Sequence, residues 1–259
     1  MLFASEVLCL QQLSSELPRL WLEIGVGTGQ FAGALGVDIG VDPASSVLQY
    51  AKWRGIQALR AQGQALPFED REFGAVFVIM TLCFAEDAGG LLREAVRVTR
   101  VEGGIVLGIV PAGSPWGKSY AAKGRAGHMF YSEARFFTLE EVRNLAEDVG
   151  LRFDRSVSTL FGSPDEGTFE IERPRQGEAR SAGFVAMLFR PRSRPAGNTT
   201  TSAREDQDSE TPRSLICMKE NLEIDPDNPR CPYPSSQCRF REWCPVREAM
   251  RSKRRKTRE

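Results

Sequence analysis

Apolar residues in this chain follow two rhythms. Some form a short continuous run, as in Phe73–Met80; others recur every three or four positions, as in Phe3–Ser15 and Glu86–Arg100. A short continuous run bounded by turn residues reads as a strand buried on both faces, and the longer spacing as a helix with one apolar face. On this basis the chain predicts a helix over Phe3–Ser15, a strand ending at Glu23 or Ile24, and a short helix over Thr28–Leu35. A strand over Val37–Val41, a helix over Ala44–Arg54 and a strand over Ile56–Ala61 follow. Next come a central strand over Phe73–Met80, a helix over Glu86–Arg100 and a strand over Ile105–Val110. Thr138 and Glu141 stand three apart as a capping box opening another helix, which Gly150 closes. Leu151–Phe161 and Gly183–Phe189 read as two last strands. Strands alternating with helices imply an α/β fold around a parallel sheet.

The 259 residues suffice for one sizeable α/β domain and something small. Lys+Arg and Asp+Glu are equal at 34 each, so the chain as a whole makes no electrostatic case for nucleic acid. No apolar run approaches the roughly 20 residues of a membrane span. No basic stretch followed by a long apolar core opens the chain, so no signal peptide and a cytoplasmic location are expected.

The candidate chemistry starts at Trp21-Leu22-Glu23-Ile24-Gly25-Val26-Gly27-Thr28-Gly29-Gln30-Phe31-Ala32. Three glycines at every second position make a turn without side-chain bulk on its inner face. The following helix points its free N–H groups at that turn, a cradle for a nucleotide-like ligand. Gly27-x-Gly29-x-x-Ala32 fits the dinucleotide fingerprint, which keeps an NAD-dependent oxidoreductase as an alternative. The longer pattern Glu23-x-Gly25-x-Gly27-x-Gly29 resembles the first motif of class I S-adenosylmethionine-dependent methyltransferases. The acid ahead of the glycines discriminates. A carboxylate helps beside the ammonium at the methionine end of that cofactor, and would repel a pyrophosphate.

Further segments resemble the same family, the methyltransferase type 11 group in particular. Asp42-Pro43 ends the second strand, where a carboxylate can accept hydrogen bonds from both ribose hydroxyls; the alternative is that Asp42 caps the next helix. In Gln62-Gly63-Gln64-Ala65-Leu66-Pro67-Phe68, Gln62 stands where the family has Asp, and Gly63 at its small residue. The resemblance implies adenine recognition there. Gly74 stands where the family usually has Asp after Phe73, so one structural hydrogen bond is expected to be missing. Arg97-Val98-Thr99-Arg100-Val101-Glu102-Gly103-Gly104 resembles the family's "RV-x-K/R-P-G-G" turn. Over residues 1–192 the resemblance implies a Rossmann-like three-layer α/β/α sandwich, with a mostly parallel seven-stranded sheet and an antiparallel last strand. It implies S-adenosylmethionine as cofactor, held by Glu23, Gly25, Gly27, Gly29, Asp42, Pro43, Gln62 and Gly63. It implies methyl transfer to a small molecule and leaves the acceptor open.

Displacement at a sulfonium needs alignment and water exclusion more than acid–base help. The acceptor side is expected from the end of the fourth strand, including Thr81, and from Pro111–Phe136, long enough to form a lid. That segment supplies Trp116, Tyr120 and Tyr131 as substrate-lining candidates. It also holds His128, the sole histidine, the candidate general base. Cys9 and Cys83 read as buried structural thiols.

Residues 193–213 are rich in Ser, Thr, Pro and charge and read as a disordered linker. Residues 214–250 hold Cys217, Cys231, Cys238 and Cys244 among prolines, with too little apolar mass for a core. In a cytoplasmic chain such clustered thiols point to metal, as four-thiolate zinc or an iron–sulfur cluster, ahead of disulfides. The 251–259 tail is basic and suits weak contact with nucleic acid or another polyanion. A non-catalytic cofactor-binding scaffold whose working part is this module is a further alternative.

Overall fold

Strand β4, Phe73–Ile79, is buried at all seven positions and forms the axis of the sheet in the computed structural model. The structure describes residues 1–165, 170–192, 215–217 and 222–224. The chain divides into two units, Met1–Arg194 and Pro195–Glu259. In the second, the backbones of Leu215–Cys217 and Leu222–Ile224 pair antiparallel. The linker, Cys231, Cys238, Cys244, the Cys217 side chain and the basic tail lie outside the described residues.

In the first unit, β1 (Trp21–Ile24) pairs in parallel with both β2 (Ile39–Asp42) and β4. β2 carries β3 (Gln57–Arg60), and β4 carries β5 (Thr99–Ile109), again in parallel. The remaining strands are β6 (Leu151–Thr159), β7 (Arg175–Gln176) and β8 (Phe184–Pro191). The order is β3-β2-β1-β4-β5-β8-β6-β7. Eight strands with three antiparallel pairs, β5·β8, β6·β8 and β6·β7, therefore correct the expected seven-stranded sheet with one antiparallel last strand. The extra strand is two exposed residues long, too short to carry any hydrophobic period. β8 inserts between β5 and β6 because Phe184–Phe189 is apolar on both faces, whereas β6 exposes Arg152.

The helices are α1 (Leu2–Ser14), α2 (Gln30–Leu35), α3 (Ser45–Trp53), α4 (Ala88–Val98), α5 (Pro115–Arg125) and α6 (Leu139–Asp148). α1, α2 and α3 pack in succession beside β8, β6, β2 and β3, while α4 and α6 pack on each other and on β5 and β6. Period-2 alternation divides the core. Ala75, Phe77 and Ile79 of β4 join Leu10 and Leu13 of α1 and Ala186 and Leu188 of β8 in one cluster. Cys9 is fully buried and donates to the Val157 carbonyl at 3.1 Å, and burial pushes its thiol up to about 12. Cys83 is half-buried against the Met80 carbonyl.

Two local expectations resolve differently. Thr99–Gly104 is not a free turn: Thr99 pairs with Phe73 and Gly104 with Ala75, with Arg100–Gly103 bulging between them. At Gly74 a Cβ would overlap the Pro18 carbonyl, and the Gly74 N–H donates to the Leu20 carbonyl at 2.9 Å. Glycine there lets the chain entering β1 cross β4 directly. The capping box of α6 is present in both halves, with Gly150 left-handed just beyond the helix.

Candidate cofactor and acceptor site

The chain runs outward from β1 to β3, then returns to the other side of β1 at β4. That reversal is the switch point at which open α/β sheets bind ligands beyond the strand ends. The glycine turn sits there. Gly25 and Val26 donate their N–H groups to the Val41 carbonyl at 2.8 and 2.9 Å, tying the turn to β2. Gly25, Gly27 and Gly29 all have positive φ, at 75°, 50° and 78°. At Gly29 a Cβ would stand 2.8 Å from the Ala51 Cα, so α3 closes the outer side of the turn. At Gly27, among the described residues, nothing lies within 4 Å of such a Cβ, so the inner side is open. Thr81 closes the base: its hydroxyl reaches the carbonyls of Ile79 at 3.0 Å and Gly25 at 3.3 Å.

Two acids flank this turn. Asp42, half-buried at the end of β2, accepts from the Gly27 N–H through Oδ2 and the Ala44 N–H through Oδ1, both at 2.9 Å. It is not the cap of α3, whose N-cap is Ala44 without side-chain help. Glu23 shares a face of β1 with Trp21, beneath α2. Its side chain is buried, and Oε2 has no hydrogen-bond partner among the described residues. Burial holds its carboxyl well above the usual range, partly offset by the Ala32 N–H, with the nearby Asp42 charge adding to the rise. An orphaned carboxyl oxygen, a second acid with lone pairs to spare and a turn open on its inner side fit a cofactor carrying an ammonium and a ribose diol.

The other predicted cofactor residues are placed less tightly. Pro43 is exposed, with its carbonyl accepting from Arg60 at 3.2 Å. Gln62 is exposed at its side chain, while its carbonyl accepts from the Ala65 N–H at 3.1 Å. Gly63 backs onto Leu91 and Ile24. Arg97, which sequence reasoning read only as part of a turn, organises this segment. Its guanidinium donates to the carbonyls of Leu66 and Phe68 and to Asp70 and Glu94. Glu94 in turn accepts from the Leu66 N–H at 2.8 Å.

The expected acceptor segment, Pro111–Phe136, contains α5, started by Ser114 as N-cap and Pro115 at its first turn. Trp116 is buried, with its indole N–H on the Gly162 carbonyl at 2.8 Å. Tyr120 stacks on Tyr131, with centroids 4.6 Å apart and planes at 11°, and meets Trp116 edge-on at 6.0 Å. Tyr131 continues to Phe130 and that ring to Phe84. The structure thus brings Trp116, Tyr120 and Tyr131 together, while Thr81 seals the turn. His128 is exposed; its Nδ1 accepts from the Phe130 N–H at 3.3 Å, and its ring lies against Tyr131.

One residue the sequence reading passed over is Glu6. It lies on the buried side of α1 with Cys9, Leu10 and Leu13, and only 9% of it is exposed. Burial pushes its carboxyl up to about 7, with the α-amino group of Met1 pulling the other way. Its charge acts on Tyr120, whose phenol is pushed up to about 12, first by burial and then by Tyr131 and Glu6. The available signal was a carboxyl at an apolar position of a helical repeat.

Residues 22–107 match the family model of a methyltransferase domain. An uncharacterized protein of Mycobacterium tuberculosis is 40% identical over 186 residues, covering 72% of this chain and 65% of that protein. The chain therefore spans 65% of the length of this mycobacterial relative. An uncharacterized protein of Methanocaldococcus jannaschii is 34% identical over 187 residues, covering 72% of this chain and 88% of that one. Among solved structures, a Thermotoga maritima protein described as a SAM-dependent methyltransferase, possible histamine N-methyltransferase, superposes with a TM-score of 0.67. It is 33% identical, with coverage of 73% of this chain and 89% of that one.

Proposed function

We propose that this chain, which belongs to the S-adenosylmethionine-dependent methyltransferase family, binds that cofactor at the switch point and methylates a small molecule. The observation that carries the reading is the open glycine turn with an unpartnered buried carboxyl oxygen beneath it. The turn also lies inside the residues matched to the methyltransferase domain, which favours this cofactor over NAD. Asp42 would hold the ribose diol with the lone pairs its two amide contacts leave free, Glu23 would face the ammonium end, and Gln62 the adenine. Bound there, the cofactor supplies a methyl on a sulfonium whose leaving group departs neutral. The chain's own residues bind, orient and exclude water. A base such as His128 is needed only if the nucleophile must shed a proton.

S-adenosylmethionine or its demethylated product should raise the melting temperature, and NAD should leave it unchanged. At a hundredfold excess over Kd the stabilisation is about 2.7 kcal/mol. Stabilisation by NAD alone would overturn the reading.

Asp42→Ala should weaken binding of the demethylated product by roughly 1.5–3 kcal/mol. It should also lower the stability of the ligand-free protein, because the Gly27 and Ala44 amides lose their acceptor. Asp42→Asn, which keeps one acceptor oxygen, should lose less of both. Calorimetric titration and urea unfolding of the two variants measure this; full affinity in Asp42→Ala would remove Asp42 from the ribose site.

The organisation beyond the catalytic unit is also proposed: residues 1–192, a 193–213 linker, a 214–250 module and a 251–259 tail. The clustering of Cys217, Cys231, Cys238 and Cys244 supports zinc or an iron–sulfur cluster there. Metal analysis of the full chain purified anaerobically tests it, and a metal-free preparation with all six thiols reduced would sink it.

A further inference from the structure

The turn that follows α5 presents apolar side chains to solvent. Met129 is 91% exposed and Phe130 60%, and the Phe130 ring meets that of Phe84, itself 38% exposed, at 4.8 Å. Nothing in the cofactor reading uses these three side chains. A built turn holds them out. The His128 carbonyl accepts from the Tyr131 and Ser132 N–H groups, both at 3.0 Å, and the His128 N–H donates to the Lys123 carbonyl at 3.0 Å. At Gly124 a Cβ would overlap the Tyr131 carbonyl, so the turn is seated against the end of α5. The Cys83 carbonyl accepts from the Arg135 N–H at 2.8 Å, which ties the Phe84 turn to the same segment.

The same segment is basic. Lys118, Lys123, Arg125 and Arg135 lie between Ser114 and Phe136, with Glu133 the single acid among them. Arg135 pairs with Glu141 at 3.4 Å. Lys118, Lys123 and Arg125 are exposed and make no ion pair among the described residues, although the Lys123 ammonium lies 5.5 Å over the Tyr120 ring. Even with Glu86, two residues beyond Phe84, these free cations outnumber the free acids beside the turn. Three apolar side chains are too few for a stable protein interface, which takes roughly 20–30 residues a side. A second copy docked through this face would bring the cations against their own images. A lipid surface needs neither a large area nor a matching shape. Apolar tips enter the headgroup boundary, and cations meet anionic headgroups. No helix among the described residues is long and apolar enough to cross a membrane, so the contact is peripheral.

We propose that the Met129–Phe130 turn, with Phe84 and the α5 cations Lys118, Lys123 and Arg125, docks this protein on an anionic lipid bilayer.

The test floats the full chain with two kinds of vesicle at about 0.1 M salt. One is pure phosphatidylcholine; the other contains about one-quarter phosphatidylglycerol. The wild type should bind the anionic vesicles at least about tenfold tighter than the neutral ones. Met129→Ser/Phe130→Ser should lose about tenfold on the anionic vesicles, with its melting temperature unchanged. Lys118→Ala/Lys123→Ala/Arg125→Ala should lose at least as much. Met129→Asp alters a side chain that is 91% exposed, so it leaves the packing intact and should also lose about tenfold. A wild type that binds neither vesicle, or both equally, overturns the proposal. So does a serine variant, or Met129→Asp if the serine variant does not fold, that binds within about twofold of the wild type. That result would assign the attraction to the basic 251–259 tail, whose charge both variants leave untouched. Self-association of the wild type without lipid, abolished by the same substitutions, would give the turn to a second copy and overturn the proposal equally. No arm involves the cofactor, so the outcome is separate from that of the cofactor reading.

Discussion

Arg97→Met is expected to destabilise the first unit by roughly 3 kcal/mol, because it removes one group from five contacts at once. The guanidinium holds the Leu66 and Phe68 carbonyls at 3.1 and 2.8 Å, Asp70 at 2.9 Å and both oxygens of Glu94 at 2.6 and 2.8 Å. With 30% of the side chain exposed, water can replace part of this but not all. Glu94 is left facing the Leu66 N–H without its counter-charge. Hydrogen bonding from Arg97, more than the opposing burial, holds the Glu94 carboxyl below its ordinary 4.5. A depressed carboxyl contributes stability that is present above the unfolded value and lost as pH falls through the folded one. The gap between wild type and Arg97→Met should therefore be widest near neutrality and shrink below about pH 4.5. Urea unfolding at pH 7 and pH 4 measures it. A penalty under about 1 kcal/mol at pH 7, within reach of an exposed pair, would show that the clamp is a surface ion pair.

Gly29→Ala is expected to cost a further kind of energy, strain rather than lost contact. The residue stands at φ 78°, where an L side chain adds about 1–2 kcal/mol. The new Cβ would also press on the Ala51 Cα at 2.8 Å and its Cβ at 2.9 Å, overpacking worth about 1–3 kcal/mol. Relief requires α3 to move away from the turn, and with it Asp42, which holds the Gly27 amide three residues before that helix begins. Stability and binding of S-adenosylhomocysteine should therefore fall together. The double variant Gly29→Ala/Ala51→Gly should recover only part, because the Ala51 backbone remains in the way. Full binding in Gly29→Ala, with stability within about 0.5 kcal/mol of wild type, would mean the turn yields without cost.

The glycine turn was legible because its requirements are local. Positive φ at Gly25, Gly27 and Gly29 is a property of each residue's own backbone, and only glycine takes it freely. Asp42 and Glu23 end or occupy strands beside the turn, so sequence spacing alone puts them within reach. The parallel half of the sheet was legible for the same reason, since Phe73–Ile79 is apolar without interruption and can only be central. The α6 capping box is likewise contained within four residues.

What the tertiary structure decided are the facts that depend on residues far apart in the chain. The insertion of β8 between β5 and β6, and the two-residue β7 beyond them, follow from competition for sheet edges, which no window of sequence displays. Gly74, which lacks the Asp side chain's hydrogen bond, is also a crossing point, because the carbonyl it must clear belongs to Pro18. Arg97 became a clamp only when the Leu66–Asp70 loop folded onto α4. Glu6 was hidden most completely. Its position in α1 is ordinary for a charged residue near a helix start, and only the folded chain shows it buried. A local backbone requirement is written where it acts, whereas the desolvation of a side chain is set by everything that packs around it.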